Sequence, residues 1–413
     1  GKGFLQLKIS KVVGFSALDS RGRPTVAVQV VLENGEIYTA HTPSGASTGK
    51  HEARELRDAD GLGVKTAVAN VNEKIAPAIF GQEADPYFID MILANLDPSE
   101  DHRILGANAT LATSLAVAKA AGGVNLAKYL DPSGSLLIPM PMVNILSGGA
   151  HAAKTMDIQD VLIIPNQAKS FHEALEWIVS VRECASRDGK EFGTTHLIAD
   201  EGGLGLPFPS ISAACDFVVN CIEKVGLGGK VSLALDIAST QFFADGKYIL
   251  SRENRALSPT EFINYLLDLI SSQPIISIED PLAEDDWYSW ALFMLNAPKN
   301  LQVVGDDLFT TNAARLARGV ADRSANAILI KPNQNGLVTF TESVLKMAQG
   351  EGFRTIVSAR SGETEDSWLA DLATGWRAEQ IKVGSTHGSD RNAKWNRLLE
   401  LEATEKTTFA QPF

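Results

Sequence analysis

The chain has few cysteines and no long hydrophobic run. Three cysteines occur among 413 residues. They lack the CxxC spacing of metal or redox motifs, so we expect reduced and mostly buried thiols, as in cytoplasmic proteins. No apolar stretch reaches the roughly 20 residues that a membrane-spanning helix needs. Residues 1–10 also lack the apolar core of a signal peptide. These absences favour a cytoplasmic location.

Basic residues are scarce relative to acidic ones. Lys and Arg total 37 against 50 Asp and Glu, which gives a net charge of −13 at pH 7. An acidic surface disfavours nucleic acid and anionic membranes as partners. A small anionic substrate remains compatible with it, because the local field of a site can oppose the overall charge. The length of 413 residues exceeds that of a single compact core and predicts two domains.

The N-terminal part of the chain shows strand patterns followed by helical patterns. A strand pattern over Pro24–Leu32 is followed by the hairpin signal Glu33–Gly35 and by another short strand. From about residue 65 to 130, apolar residues recur at intervals of three and four, which is typical of helices. We therefore predict an α+β domain over residues 1–132, with a linker at Asp131–Gly134.

Residues 42–50, TPSGASTGK, form a loop built from small residues. The loop has no large side chain to anchor it, so the sequence predicts that it is mobile. It is either a plain linker or a lid. A lid would close over a site, expel water and strengthen the electrostatic interactions inside.

From residue 133 to 413, apolar runs of strand length alternate with helical patterns. This alternation predicts an α/β fold with an eight-stranded (β/α)8 barrel. Nine runs are present, so one of them is expected to lie outside the barrel. The runs are Met142–Leu146, Asp160–Ile164, Thr195–Ala199, Val231–Leu235, Ile275–Ile278, Gln302–Val304, Ala327–Ile330, Thr355–Val357 and Gln380–Val383.

Four consecutive runs end in charged residues: Asp236, Glu279, Asp306 and Lys331. The carboxyl ends of the strands in such a barrel meet at one rim, where the active site lies. Three carboxylates there would repel one another unless a cation joins them, and hard oxygen ligands suit Mg²⁺. A single acidic residue after a strand is often only the N-cap of the next helix. Four successive charged strand ends favour a metal site instead.

Several short motifs extend this pattern over nearly the whole chain. Taken together and in this order, they resemble the enolase family. The motifs are Ser20–Gly22, Pro43–Gly49, Asp200–Gly203, Ser277–Pro281, Gly305–Leu308 and Arg360–Asp366. The resemblance implies a modified (β/α)8 TIM-type barrel over residues 133–413, capped by the N-terminal α+β domain. It also implies an enzyme of the carbon–oxygen lyase type, a small phospho-carboxylate substrate, two Mg²⁺ ions per active site and a homodimer.

The resemblance also implies roles for individual residues. Asp236, Glu279 and Asp306 match the ligands of the first Mg²⁺. Ser44, on the loop 42–50, matches the residue that joins a second Mg²⁺ together with the substrate phosphate. Lys331 matches the base that removes the proton beside the substrate carboxylate.

Further matches concern the rest of the substrate. Glu201 matches the acid that assists departure of the C3 hydroxyl, and His151 matches a histidine near the substrate. Lys382 matches a ligand of the substrate carboxylate. Positions that contact the substrate are matched by Gln159, Arg360 and Ser361.

The chemistry of proton removal sets a condition on Lys331. A proton beside a carboxylate is weakly acidic, because its removal places a second negative charge on the enolate, which divalent cations stabilise. A base must be neutral to accept the proton. We therefore expect Lys382, Arg360 and Mg²⁺ to lower the pKa of Lys331 by like-charge repulsion.

Two departures from the family pattern fall on the acid side of the expected site. Ala359 stands where the family has His, and Asp160 stands where it has a second Glu paired with the acid. Both changes remove volume beside C3 of the substrate. The proton-removal half of the site is thus retained, while the leaving-group half differs.

Three hypotheses about the function are compatible with a retained proton-removal half and a changed leaving-group half. The favoured one is a specialised enzyme that forms the enolate of 2-phosphoglycerate or a close analogue and then expels or replaces the C3 hydroxyl. It resembles a carboxyphosphonoenolpyruvate synthase of phosphonate biosynthesis, with phosphonoformate as second substrate. The alternative is an ordinary enolase that makes phosphoenolpyruvate and tolerates both changes. A non-catalytic protein on the same scaffold is disfavoured, because it would not need the base, the acid and the three carboxylates.

Overall fold

The computed structural model describes residues 6–45, 48–149, 152 and 154–413. The chain begins with an antiparallel sheet in the order β1 (Ile9–Leu18), β2 (Pro24–Leu32) and β3 (Ile37–His41). The tight turn between β2 and β3 contains Gly35 at a φ of 86°, a conformation that glycine adopts without strain. The expected hairpin is therefore confirmed.

Helices cover one face of this sheet. They are α1 (Lys65–Asn70), α2 (Ala76–Ile79), α3 (Pro86–Leu96), α4 (Ala107–Gly122) and α5 (Leu126–Leu130). A π-helical turn over Val71–Ile75 joins α1 to α2, so the two form one continuous helical segment. The central helix α4 is rich in Ala and buried on nearly all sides, as expected of a helix that is apolar all round.

The rest of the chain is built around a closed barrel of eight strands. The strands after α5 are β4 (Leu136–Ile138), β5 (Met140–Ser147), β6 (Asp160–Ile164), β7 (Ser232–Asp236), β8 (Phe243–Ala244), β9 (Lys247–Leu250), β10 (Arg255–Leu257), β11 (Ile275–Glu279), β12 (Gln302–Gly305), β13 (Ala327–Ile330), β14 (Arg354–Ser358), β15 (Gln380–Gly384) and β16 (Thr407–Phe409). The order around the barrel is β5-β6-β7-β11-β12-β13-β14-β15, and β15 closes the barrel by pairing with β5.

Helices follow most of the barrel strands and pack outside them. Short 3₁₀ turns occupy Gly189–Glu191, Ser239–Phe242 and Ser251–Glu253. The helices are α6 (Phe171–Asp188), α7 (Ile211–Lys224), α8 (Pro259–Ser272), α9 (Trp287–Asn296), α10 (Ala313–Asp322), α11 (Pro332–Asn335), α12 (Val338–Gly350), α13 (Trp368–Gly375) and α14 (Ser389–Thr404). No helix in the described part of the chain is long and apolar enough to cross a membrane.

The barrel is modified at one strand. Strand β6 runs antiparallel to both of its neighbours, β5 and β7, while the remaining neighbours pair in parallel. The predicted α/β fold, a modified TIM-type barrel with an N-terminal α+β domain, is confirmed.

One of the nine expected strands is wrong. Thr195–Ala199 forms no strand, and its pairing is limited to an isolated bridge between Ile198 and Leu204. Leu197 is 63% exposed and Ile198 47% exposed. This run was apolar enough to suggest a strand, but it has no neighbouring strand to pair with. It lies instead in the segment that joins α6 to α7.

Asp90 on α3 joins the N-terminal domain to the barrel. Its carboxylate accepts hydrogen bonds from the Thr339 backbone N–H at 2.9 Å and from the Thr339 hydroxyl at 2.7 Å. The hydroxyl of Ser114 donates to its other oxygen at 2.7 Å. Helix α12 has no side-chain cap of its own at Leu337. The N-terminal domain thus satisfies free backbone donors at the start of a barrel helix.

Candidate active site at the barrel rim

The charged residues at the strand ends lie together at one rim of the barrel. Asp236 is the last residue of β7 and Glu279 the last of β11, and these two residues are partners in the parallel pairing. Asp306 follows the end of β12, and Lys331 follows the end of β13. The carboxylates of this group are buried. The parallel register therefore brings four groups, separated in sequence, to a single place.

Two lysines neutralise part of this acidic cluster. Lys331 Nζ lies 2.6 Å from Asp306 Oδ2. Lys382 Nζ lies 3.1 Å from Asp236 Oδ2 and 3.1 Å from Glu279 Oε1. Since all of these groups are shielded from solvent, their interactions are stronger than those of surface ion pairs.

The protein groups alone raise the pKa of Lys331, whereas the sequence led us to expect that Lys382, Arg360 and Mg²⁺ together would lower it. Burial is the largest single effect and acts to lower the pKa of the ammonium group, but the nearby carboxylates, Asp306 first and Glu279 next, together outweigh it. Arg360 and Lys382 also act to lower the pKa, as expected, yet their effect is smaller than that of Asp306. The expectation counted the cationic neighbours and omitted the direct ion pair.

The two lysines do not fully balance the negative charge of the carboxylates. Burial, reinforced by repulsion from Asp236, holds the pKa of Glu279 well above its usual range despite the attraction of Lys382. Asp236 Oδ1 and Glu279 Oε2 are buried, and neither has a hydrogen-bond partner in the described part of the chain. Buried oxygens of this kind fit a hard divalent cation such as Mg²⁺. The donor set therefore fits the metal that the sequence implies.

Asp280 lies close enough to compete for a ligand role. Oxygens of Glu279, Asp280 and Asp306 lie within 4.8 Å of one another. However, both Asp280 oxygens accept backbone N–H groups, from Asp306 and Asp307, each at 2.9 Å. Asp280 also has a φ of 45°, a left-handed conformation that turns the chain sharply after β11. We assign Asp280 to holding the ends of β11 and β12 together.

Most of these charged residues line one pocket at the rim. Glu279, which pairs with Asp236 in the barrel, is not among the described lining residues. Gln159 is held at the pocket wall by an amide hydrogen bond to Asp236 Oδ2 at 3.4 Å and accepts one from Gln241 at 2.8 Å. The lining residues are Gln159, Glu201, Asp236, Ala238, Gln241, Asp280, Asp306, Asp307, Lys331, Ser358, Ala359, Arg360, Ser361, Lys382, Val383 and Gly384.

Arg360 is a cation of the pocket that the N-terminal domain holds through Glu52. Its guanidinium lies 2.9 Å from Glu52 Oε1 and donates to Asn333 Oδ1 at 2.9 Å. The backbone of Gly45 passes so close that a Cβ there would overlap the guanidinium. Glycine is therefore required where the loop 42–50 approaches the barrel.

The structure places Ser44 beside the pocket rather than on its wall. The Ser44 backbone pairs with Gly362 through hydrogen bonds of 2.7 and 2.8 Å, and its hydroxyl accepts one from Arg57 at 3.3 Å. Residues 46 and 47 of the same loop lie outside the described residues, as does His151. The expectations for His151 and for closure of the loop therefore stay predictions.

The acid side of the pocket contains Glu201 and Ala359. Glu201 accepts a hydrogen bond from the Asn144 side chain at 2.8 Å. Asp160 is fully buried, lies opposite Asp236 in the strand pairing and accepts a hydrogen bond from Ser147 at 3.1 Å. Among the described residues, Asp160 is not part of the pocket lining, whereas Ala359 is.

Sequence reasoning missed several residues that hold this site in place. Asn144 positions Glu201, Glu52 holds Arg360, and Gln334 donates to Asp306 Oδ1 at 3.1 Å. Asn144 carried a signal, since it is a polar residue within the apolar run Met142–Leu146. Glu52 and Gln334 carried none, because their contacts depend on side-chain reach across distant parts of the fold.

A barrel whose rim collects buried acids and lysines, capped by an α+β domain, defines an enzyme of the lyase type with an enolase-like architecture. Comparison with known families agrees with this class. Residues 9–130 match the family model "Enolase, N-terminal domain", and residues 135–411 match "Enolase, C-terminal TIM barrel domain". The chain belongs to the enolase family.

Proposed function

We propose that this enzyme forms the enolate of 2-phosphoglycerate or a close analogue and then expels or replaces the C3 hydroxyl in a specialised reaction. The observation that supports this proposal is the contrast between two walls of one pocket. The lining includes Lys331, which is paired with the buried Asp306, and it also includes Glu201 and the small residue Ala359. We propose that the Lys331 part of the pocket serves proton removal and that the part with Glu201 and Ala359 receives C3 of the substrate.

The proposed metal ligands are the three carboxylates Asp236, Glu279 and Asp306. When bound, Mg²⁺ stabilises the negative charge that develops on the substrate carboxylate. This proposal is supported by Asp236 Oδ1 and Glu279 Oε2, which are buried and have no hydrogen-bond partner among the described residues. We propose Ser44 as a ligand of a second Mg²⁺, a role that requires its hydroxyl to leave Arg57.

Lys331 is the proposed base, and Nζ is the atom that takes the proton. It must pass from the ammonium form, paired with Asp306, to the neutral amine before it can act. Arg360 and Lys382 favour the neutral form by repulsion. A cation that binds the Asp306 carboxylate would also favour neutral Lys331, because it would weaken the ion pair between Asp306 and Lys331 that raises the pKa of Lys331.

The remaining cations and polar groups of the pocket suit an anionic substrate. Arg360 and Ser361 are proposed to bind the phosphate, and Lys382 the carboxylate. Arg360 is already oriented by Glu52 and Asn333, so little side-chain freedom is lost when a substrate binds. Gln159 is proposed to hold the hydroxyl end of the substrate near Glu201.

The fate of C3 depends on Glu201 and its neighbours. Glu201, oriented by Asn144, is proposed to donate a proton to the departing hydroxyl. Asp160, which accepts a hydrogen bond from Ser147 and lies outside the described pocket lining, is proposed to assist Glu201 in this proton transfer. Because Ala359 has a small side chain, we propose that a second anion binds near this end of the pocket and that it is phosphonoformate. The C3 hydroxyl then leaves as water, the carboxyphosphono group replaces the phosphate on the C2 oxygen, and inorganic phosphate is released. This reaction would make the protein a carboxyphosphonoenolpyruvate synthase of phosphonate biosynthesis.

The second candidate is an ordinary enolase that converts 2-phosphoglycerate to phosphoenolpyruvate. The presence of Lys331, Glu201 and all three carboxylates at one rim favours a catalytic role of this type over a non-catalytic scaffold. The two candidates share the enolate and differ in whether phosphonoformate then replaces the phosphate on the C2 oxygen.

Phosphorus NMR separates the two candidates. The enzyme is incubated with 2-phosphoglycerate and Mg²⁺, with and without phosphonoformate. We expect slow dehydration alone and a new phosphonate signal when phosphonoformate is added. Rapid formation of phosphoenolpyruvate from 2-phosphoglycerate alone, with no new product, would assign the ordinary enolase reaction instead. The variant Lys331→Ala is the control, since it should remove both products.

A further inference from the structure

A second group of ligand-type side chains lies outside the barrel, between α6 and α7. It consists of Cys184 and Asp188 on α6 and Cys221 on α7. One potential ligand atom from each of these residues lies within 4.8 Å of the other two. Both cysteines are buried and free, and Asp188 is partly exposed. No step proposed above uses any of the three.

The spacing of these atoms matches a tetrahedral metal centre. Typical bonds are about 2.3 Å for Zn–S and about 2.1 Å for Zn–O, which place a sulfur and an oxygen about 3.6 Å apart at the tetrahedral angle. Cys184 Sγ lies 3.6 Å from Asp188 Oδ2. By the same geometry two thiolates lie about 3.8 Å apart, which is inside the 4.8 Å limit that contains all three atoms.

We propose that Cys184, Cys221 and Asp188 form a binding site for a thiophilic divalent ion of the zinc class. The two thiolates are soft ligands and select such an ion over Mg²⁺, which prefers an all-oxygen set; the hard carboxylate of Asp188 is also an accepted ligand of zinc. The side chain of Asp188 is 22% exposed, so solvent can reach the ion there and supply the fourth ligand. The site is thus chemically distinct from the carboxylates at the rim.

Binding requires the exchange of protons and of one ion pair. Each thiol loses its proton to solvent as its sulfur bonds to the metal, and no electrons are transferred. Burial raises the pKa of Cys221 to about 12, so without a metal the thiol form is favoured at neutral pH. Lys224 Nζ, 2.6 Å from Asp188 Oδ2, must release this carboxylate. Affinity should therefore increase with pH, because fewer protons compete.

A metal at this place would cross-link α6 to α7. Asp188 is the last residue of α6, and the segment 189–210 that follows contains Glu201. The cross-link would therefore fix the start of the segment that carries the proposed acid. Its role is structural, since the group lies apart from the pocket lining.

Titration with Cd²⁺ tests the site, because cadmium is thiophilic and its thiolate complexes absorb in the ultraviolet. The reduced full-length protein is first saturated with Mg²⁺, so that the rim carboxylates are occupied. We expect one equivalent of Cd²⁺ to produce thiolate-to-metal absorbance and to release two protons. Absence of this absorbance at stoichiometric Cd²⁺ would overturn the proposal.

Three variants identify the ligands. Asp188→Asn should weaken Cd²⁺ binding by about tenfold or more, a loss typical of groups that hold or orient a metal. Lys224→Ala should tighten it, because it removes the closer of the two cations that pair with Asp188, while Arg187 Nε stays 3.6 Å from Asp188 Oδ1. Cys215→Ser is the matched control, a buried cysteine on α7 outside the group. Equal affinity for Cd²⁺ in Asp188→Asn and the wild type would show that Asp188 is not a ligand.

Alkylation of the wild-type protein avoids the risk that a buried cysteine variant fails to fold. With Cd²⁺ bound, Cys184 and Cys221 should react more slowly than in its absence, while the rate at Cys215 should not change. Mass spectrometry of the labelled peptides reads out each position. Equal change at all three cysteines would mean that Cd²⁺ tightens the whole fold, and the proposed site would be rejected.

Discussion

Lys331 is the residue on which the proposed chemistry most directly depends. Replacement by Ala should abolish exchange of the C2 proton of 2-phosphoglycerate with solvent deuterium, a loss of at least about 10²–10⁴, which is the usual contribution of a general base. Proton NMR of the substrate in D₂O measures this exchange. Continued exchange at the wild-type rate would exclude Lys331 as the base.

A second replacement at this position separates the base from the ion pair. Lys331→Arg keeps a positive charge next to Asp306 but cannot act as a neutral amine at ordinary pH, because the guanidinium does not lose its proton. It should therefore lose exchange as completely as Lys331→Ala while keeping a melting temperature closer to that of the wild type.

Ala359 and Asp160 are the residues that we expect to limit plain dehydration. The double variant Ala359→His with Asp160→Glu should raise formation of phosphoenolpyruvate by about 10², because it adds an acid–base group and lengthens a carboxylate on the acid side. Enol absorbance follows the reaction. The control Ala359→Leu fills the same space without an ionisable group and should give no gain. Equal rates in the double variant and the wild type would mean that these positions do not cause a defect.

The residues of the site were predictable to different degrees. Asp236, Glu279, Asp306 and Lys331 each follow an apolar run, so the sequence alone placed them at strand ends. Their partners were not predictable, because the contact of Lys331 with Asp306 depends on how far one side chain reaches from β13 towards β12. The direction of the Lys331 pKa shift was missed for the same reason.

At the level of elements, the contact of α3 with the start of α12 gives a pH-dependent prediction. Burial raises the pKa of Asp90 to about 6, although hydrogen bonds from Thr339 and Ser114 oppose the shift. The folded state therefore binds a proton more tightly than the unfolded state. Stability from this group is complete below the unfolded pKa near 4 and is lost as the pH rises through about 6.

Asp90→Asn tests this linkage, since Asn is neutral at every pH. Between pH 5 and 7.5 the wild type should lose about 1 kcal/mol of unfolding free energy that the variant does not lose. Urea unfolding at the two pH values gives the difference. Asp268→Asn, a change at an exposed carboxylate on α8, is the control and should follow the wild type. A constant difference between Asp90→Asn and wild type would show that Asp90 does not titrate in this range.

Strands were predicted well where an apolar run pairs with neighbouring strands of the barrel. Asp160–Ile164 and Ala327–Ile330 are strands with the expected bounds. Thr195–Ala199 has a similar composition, but strand formation also requires a neighbour, and the sequence does not specify one. The reversed direction of β6 was equally hidden, because strand direction follows from the connections and not from composition.

For the whole molecule, the buried acidic cluster predicts that Mg²⁺ stabilises the fold. An ion that binds only the folded state adds about 2.7 kcal/mol when its concentration is 100 times its Kd. Thermal melts with increasing Mg²⁺ should show this gain in the wild type and little gain in Glu279→Gln. NaCl at matched ionic strength is the control, because the net charge of −13 makes general screening stabilising as well. An identical response of both proteins to Mg²⁺ would exclude Glu279 as a ligand.

The reversed strand β6 has a consequence for how new activities arise on this barrel. Strand β5 ends at the rim with Ser147 and β6 begins there with Asp160, so both ends of the connection 148–159 are anchored at the mouth. The carboxylates Asp236, Glu279 and Asp306 belong to other strands. A substitution in the connection 148–159 should therefore act on the part of the pocket proposed to receive the departing group while leaving these three carboxylates in place.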